Sequence, residues 1–311
     1  MASPRHVVVL KGGVSVEREV SLRSGAECAR ALGEAGFRVS QIDVTAKLMP
    51  HLGAELLALS PDVVFLALHG KFGEDGTVQG LLEVTGLPYT HSGVLASSLA
   101  MNKAMSKTVL SAAGVPVAGG RLVQREEAAR GHVLARPYVL KPNEGGSSLG
   151  VFMVREDMDH PPQELSSAEW SFGESLLAEP FIPGKELTCA VMGDRALGVI
   201  EIAQDNLFYD YEAKYSDGGS KHTLPAPIKP NIYQDVQRLS LMAHRALGCR
   251  GVSRSDFRYD EQGEESVLVC LEVNTQPGMT QTSLVPELAA YAGISFPELM
   301  RWMVEDASCE R

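Results

Sequence analysis

Short apolar runs alternate with amphipathic stretches through the first third of the chain. His6–Leu10, Phe37–Val44 and Asp62–Leu68 read as strands, and Val20–Ala35, Leu48–Leu59 and Thr77–Thr85 read as helices. A strand-helix-strand order predicts an open parallel sheet with helices against it. Asp62–Leu68 is apolar almost throughout, as in a strand buried on both faces. Ligands of such sheets lie beyond the carboxyl ends of the strands, and the polar loops Gly12–Glu19 and His69–Gly76 fall there. Pro88–Ser98, rich in small residues, reads as a loop, and a helix carrying Lys103 and Lys107 follows over Met101–Ala113.

The pattern changes near Asn102. Tyr138–Pro142 is a strand ending in Lys141, Asn143–Gly150 is a Gly/Ser loop, and Val151–Arg155 is a second strand. This is a flap; a P-loop needs a helix after its glycines. Flap amides and an inward lysine suit phosphate oxygens. Asp157–Ser175 is polar surface, and Leu176–Glu186 reads as an extended connector between two sheets with Glu179 and Glu186 near its ends. Such a connector offers backbone polar groups to a flat heterocycle. Leu187–Ile202 gives two strands turning at Gly193-Asp194, and Asn206–Leu224 is a long polar loop of lid type holding Lys214 and Tyr215. Asp235–Leu247, Val285–Ala292 and Phe296–Val304 are helices. The changes in pattern divide the chain into an N-terminal α/β domain (1–101), a central subdomain with the flap (102–184) and a C-terminal subdomain with the lid loop (185–311).

Between the last long helix and the end lies the stretch richest in chemistry. Val252–Tyr259 and Val267–Val273 form a hairpin about a polar turn. Alternation puts Glu272 and Asn274 on one face, and pairing brings Asp256 beside them, with Arg254 on the face of Asp256. Two carboxylates and an amide oxygen at one point repel unless a cation is present, and hard oxygens of this kind suit Mg²⁺ shared with substrate phosphates. Gly278, in the turn that follows, leaves its backbone N–H open to a ligand.

Composition narrows the partners. With 28 Lys and Arg against 39 Asp and Glu, the 311-residue chain carries −11 and has no basic run, so nucleic-acid and anionic-membrane surfaces are not expected. A phosphate substrate remains compatible, because local lysines and Mg²⁺ decide that. Five scattered cysteines without a CxxC read as core thiols of a reducing cytoplasm. No secretory leader is read at the start, and no apolar run approaches a membrane span.

In order along the chain stand GGxSxEREVSLxSG, HGKFGEDG, MNKxxSK, KPNEGGSSLG, FYDYEAKY, SRSDF and LEVNTQPGMTxTSLVP. The set resembles the D-alanine–D-alanine ligases of the ATP-grasp superfamily from about Val7 to Val304. The resemblance implies an α/β (α+β ATP-grasp) fold: an N-terminal open parallel sheet domain, then two ATP-grasp subdomains with the nucleotide held between two sheets. It implies that Lys103 and Lys141 bind ATP phosphates under Ser148 and the flap, and that Glu179, Phe181, Ile182 and Glu186 hold adenine and ribose. Asp256, Glu272 and Asn274 would bind two Mg²⁺, or Mn²⁺ in their place. Glu17 would hold the amino group of the first D-alanine and link with Ser147 and Tyr215 to close the lid. Arg254 and the Gly278 amide would face the oxyanion. Ser283 and the Leu284 amide, with Lys214 near, would take the carboxylate of the second D-alanine, and His69 would assist near the substrates. The activity implied is ATP-dependent joining of two D-alanines through an acyl phosphate, for peptidoglycan precursors, by a cytoplasmic homodimer. The alternative is the D-alanine–D-lactate ligase of the same fold. The flap departs from the family's pattern: Glu144 sits one place early and Gly145 takes the glutamate slot. His222, in the lid region, reads as surface.

Overall fold

The computed structural model describes residues 4–203, 221–262 and 266–309. Three strands, β1 (His6–Gly12), β2 (Arg38–Val44) and β3 (Val63–Leu66), form a parallel sheet in the order β2-β1-β3. The helices between and after them are α1 (Arg18–Glu34), α2 (Leu52–Leu59) and α3 (Thr77–Thr85). Alternation sends Val8, Leu10, Val64 and Leu66 into a core with α2 and α3, and Val7, Val9 and Phe65 into a core on the opposite face. The two polar loops lie at the carboxyl ends of β1 and β3, as the parallel order requires.

The expected loop over Pro88–Ser98 is corrected by α4 (Val94–Met101), followed at once by α5 (Lys103–Ala112). Small residues had suggested a loop; they serve close packing instead. A Cβ on Gly76 would lie 2.8 Å from the Val94 carbonyl, and Ser98 sits against the same glycine. Asn102 divides the two helices: its backbone is extended, and its side chain accepts from the Met105 amide as the cap of α5.

The central sheet is antiparallel, ordered β4-β7-β5-β6, from β4 (Arg121–Gln124), β5 (Tyr138–Pro142), β6 (Phe152–Val154) and β7 (Ser175–Pro180), with α6 (Arg125–Arg130) beside it. The stretch read as a connector from Leu176 is therefore mostly a strand, paired on both edges. Leu176 and Ala178 enter the core with Tyr138 and Leu140, while Glu179 turns the other way, as does Lys141 on β5. Only 181–184 joins this sheet to the next.

The third sheet runs β10-β9-β8-β11-β12, antiparallel throughout: β8 (Lys185–Met192), β9 (Arg195–Ala203), β10 (Lys221–Thr223), β11 (Val252–Asp260) and β12 (Val267–Asn274). On one face α7 (Pro230–Ala246) packs Val236, Leu239 and Ala243 against Leu187, Cys189, Phe257 and Tyr259. The intervening residues face a cleft shared with the central sheet. The last helices, α8 (Leu284–Tyr291) and α9 (Phe296–Asp306), return to the first sheet, where Leu288 and Met300 share a core with Val7, Val9 and Phe65. No helix among the described residues is long and apolar enough to cross a membrane.

Candidate active site

One wall of the cleft is the β11–β12 hairpin. Its register puts Asp256 opposite Glu272 and Arg254 opposite Asn274. The predicted group therefore assembles by strand pairing alone. The Asp256 carboxylate is buried and accepts from Arg254 Nε at 2.9 Å, Arg254 Nη2 at 2.7 Å, Asn274 Nδ2 at 3.0 Å and Thr188 Oγ1 at 2.6 Å. Thr188 is the residue that β8 places beside Asp256. Glu272 reaches toward Lys103, with 3.9 Å between Oε2 and Nζ.

This donor set fits a hard divalent cation. Asp256 and Glu272 supply carboxylate oxygens, Asn274 an amide oxygen, and the Arg254 fork shows that the spot already draws positive charge. Among the described residues no group of three or more His, Cys, Asp or Glu side chains could hold a metal. Mg²⁺ is usually held by one or two carboxylates, with waters and substrate phosphates completing its shell.

The opposite wall is the central sheet. Lys141 Nζ lies 2.5 Å from Glu179 Oε2, and Lys107 Nζ is paired with the other oxygen, all three side chains being buried. Glu179 faces the cleft, but its carboxylate is occupied by lysines. Lys103 opens α5, where its charge adds to the positive end of the helix. It donates to the Gly145 carbonyl at 2.6 Å, and its own amide donates to the Asn143 carbonyl at 2.9 Å, stitching the helix start to the flap. Gly145 holds a φ of +111°, so the residue in the usual glutamate slot has a backbone that favours glycine. Glu144 accepts instead from Asn102 Nδ2 at 3.2 Å. Ser147 and Ser148 both adopt left-handed backbone, φ +55° and +58°, a strained pair at the tip of the flap.

Between the sheets, Phe181, Ile182, Val139, Ile202 and Leu271 line an apolar slot, with Glu186 at its edge. Arg258 organises it, donating to the Ile182 carbonyl at 3.0 Å, lying 5.6 Å over the Phe181 ring and reaching Glu186 at 3.7 Å.

A third group approaches the flap from the N-terminal sheet. Ser147 Oγ donates to Glu17 Oε1, joining two residues predicted to meet. Glu17 is buried, and a Cβ on Gly70 would lie 2.8 Å from its Oε2, so Gly70 (φ +69°) leaves room for the carboxylate. His69 meets Glu74 Oε1 at 3.1 Å and Ser24 Oγ at 3.4 Å. Burial pushes the His69 pKa down, but the Glu74 carboxylate, with Glu17 behind it, raises it above the ordinary value. Gln276 Nε2 donates to the Leu68 carbonyl, tying the Gly278 turn to the end of β3. Ser283 precedes α8; its Oγ accepts from the Thr280 amide at 3.0 Å and lies 3.2 Å from where a Gly278 Cβ would be. Leu284 begins α8 and borders the cleft. Lys214 and Tyr215 lie outside the described residues.

Four residues were given no role from the sequence. Lys107 follows Lys103 by four positions on one helix, a like-charge spacing that costs stability unless anions answer it, and that spacing was the available signal. Arg258 continues the alternation of Arg254 and Asp256. Thr188 and Gln276 carry no signal in the sequence; only register and docking reveal them. His222, expected at the surface, is half-buried, its Nδ1 2.7 Å from Glu287 Oε2.

Family models match two segments, described as D-ala D-ala ligase N-terminus over residues 48–92 and D-ala D-ala ligase C-terminus over 109–305. The chain is 66% identical over 311 residues to a D-alanine--D-alanine ligase of Xanthobacter autotrophicus, covering 99% of both chains. It is 65% identical over 309 residues to that of Azorhizobium caulinodans, again over 99% of both. A crystal structure of D-alanine--D-alanine ligase from Bacillus anthracis complexed with ATP superposes with a TM-score of 0.78 at 29% identity, over 97% of each chain. A second structure from that organism gives 0.80 at 33% identity and the same coverage.

Proposed function

The chain belongs to the D-alanine–D-alanine ligase family, and we propose that it joins two D-alanines to D-alanyl-D-alanine at the expense of ATP. The observation that carries this reading is the group Asp256, Glu272 and Asn274, brought together by strand register, with Asp256 and Glu272 facing Lys141 and the flap across one cleft.

Adenine enters the apolar slot at Phe181 and Ile182, with Glu186 near the ribose and Glu179 behind. Lys103, Lys141 and the amides around Ser148 hold the phosphates. Two Mg²⁺ ions bound by Asp256, Glu272 and Asn274, or Mn²⁺ in their place, would neutralise phosphate oxygens during transfer. Glu17 fixes the amino group of the first D-alanine, whose carboxylate attacks the γ-phosphorus in line, giving an acyl phosphate and ADP. Positioning does most of the work in such a transfer. The deprotonated amine of the second D-alanine, its carboxylate on Ser283 and the Leu284 amide near Lys214, attacks the acyl carbon, and phosphate leaves. Arg254 and the Gly278 amide face the oxyanion, a contribution of about 3 kcal/mol per donor in comparable sites. His69 acts close to the substrates. The acyl phosphate is prone to hydrolysis, so Ser147, Glu17 and Tyr215 close the flap and lid over it.

The three parts 1–101, 102–184 and 185–311 thus supply the amino-acid end, the phosphate cover and the cation wall. The setting is the cytoplasm, the assembly a homodimer, and the product a peptidoglycan precursor. The depsipeptide alternative is not favoured, since the relatives are named D-alanine--D-alanine ligase.

The test is ADP release with D-alanine, with D-lactate as competing second substrate, with and without Mg²⁺. D-alanine-dependent, Mg²⁺-dependent release with dipeptide as product is expected. Release without D-alanine, or an ester as the main product, refutes the reading.

A further inference from the structure

Lys107 has no part in the reaction just described, yet it is buried beside it. It stands one turn after Lys103 on α5, and its Nζ is paired with Oε1 of Glu179. Lys141 Nζ lies 2.5 Å from the other carboxylate oxygen. The exposed fractions of the side chains are 9% for Lys107, 4% for Glu179 and 10% for Lys141. Lys141 and Glu179 border the cleft; Lys107 lies behind them and also donates to the Ala118 carbonyl at 3.3 Å.

Two ammonium groups thus share one carboxylate. Burial and the charge of Lys141 push the Lys107 pKa down, and Glu179 pulls it back. The group of three carries one excess positive charge beside a cleft that takes a triphosphate in the reading above. For Lys141 to meet those phosphates it must loosen its hold on Glu179. A buried carboxylate stripped of its partner is strongly unfavourable, so this movement needs a second cation that stays behind.

We propose that Lys107 is that cation: a positioning residue that holds the Glu179 carboxylate in place, so that Lys141 can turn to the phosphates of ATP. The proposal rests on the ATP-dependent reading above. Lys107 touches neither nucleotide nor substrate; it acts through Glu179 on Lys141. Without Lys107, Lys141 is left as the counter-charge of Glu179 among the described residues and is held there. Nucleotide binding then weakens, while D-alanine binding, built on Glu17 and Ser283, does not.

The experiment measures the Kd of a non-hydrolysable ATP analogue with Mg²⁺ by calorimetry for the wild type, K107M, K107R, E179Q and K107M/E179Q, with Tm recorded for each. KM values for ATP and D-alanine are measured alongside. The analogue should bind K107M about ten- to a hundred-fold more weakly than the wild type. KM for ATP should rise while KM for D-alanine stays, and K107R should remain near wild type. With Glu179 neutral, Lys107 should no longer matter, so E179Q and K107M/E179Q should bind alike. An unchanged Kd in K107M overturns the proposal. So does a parallel rise of both KM values that follows a fall in Tm, or a further loss of affinity from E179Q to K107M/E179Q. Should K107M fail to fold, the comparison of E179Q with K107M/E179Q decides alone. A wild type that binds the analogue but makes no dipeptide sinks the proposed function and leaves the affinity ratios readable.

Discussion

Asp256 and Glu179 face the same cleft from opposite sheets, and cations answer both, from different distances along the chain. Asp256 is met by Arg254, two residues away on its own strand, and by neutral donors on the adjoining strands β8 and β12. Glu179 is met by Lys107 from α5 and Lys141 from β5, two elements remote from it in sequence. One site is set by the local pleat of a hairpin, and its cation comes from the same strand as its carboxylate. The other exists only once a helix and two strands have docked, and two lysines share its one carboxylate. The difference teaches that a carboxylate set by the pleat needs no docking to form, while one shared between lysines governs how each of them is used.

Substitutions at the hairpin site carry the largest expected effect. Glu272→Ala or Asp256→Asn should lower ADP formation by about a thousand-fold, since hard-oxygen ligands carry most of the charge stabilisation in phosphoryl transfer. Near-normal turnover in either would move the cation elsewhere. For Glu272→Ala the Tm should barely shift, because that side chain is partly exposed.

Next, Lys141→Ala should cost about a hundred- to a thousand-fold in kcat/KM for ATP, comparable to losing one preorganised donor. A variant that loses Tm but keeps its kinetics would make the Glu179 cluster a structural staple and erase the contrast.

Thr188→Val sharpens the comparison at lower cost. Removing the hydroxyl that orients Asp256 should raise the Mg²⁺ concentration for half-activation about ten- to a hundred-fold, with kcat recovered at saturating Mg²⁺. A Mg²⁺ curve identical to that of the wild type would show that Thr188 does not orient the carboxylate.

The last contrast is read in stability rather than turnover, at a buried group whose environment favours the neutral form. Burial, with Arg245 adding to it, lowers the pKa of His244 from 6.5 to about 4, against a weaker pull from Asp306. Below pH 6.5 the unfolded chain takes up a proton that the folded one refuses. The neutral histidine therefore costs nothing above pH 6.5, and stability falls as pH drops toward 4, by about 3 kcal/mol in all. His244→Gln should flatten the Tm profile over that window relative to the wild type. Parallel profiles would refute it.

These contrasts explain what the sequence could disclose. Asp256, Glu272 and Asn274 were legible because alternation and a short hairpin turn suffice to bring them together. The parallel sheet was legible because β1 and β3 carry unbroken apolar runs. The strand Ser175–Pro180 was not, since an apolar triplet ending in Glu-Pro looks like a connector until β4 and β5 flank it. Helix Val94–Met101 was hidden by serines and alanines, of which Ser98 lies against Gly76 and Ala96 and Ala100 enter a core. Thr188 and Gln276 act through partners that only the three-dimensional pairing supplies.

The last two helices place Leu288 and Met300 in the core that also receives Val7, Val9 and Phe65, and Ser308 pairs with Tyr89. Helix α1 adds Cys28 and Leu32 to the same core, so the first strands leave the ribosome with that side only partly covered. The remaining cover arrives with α8 and α9, which are translated much later. A variant truncated before Leu284 would leave this part of the apolar surface open to chaperones and proteases.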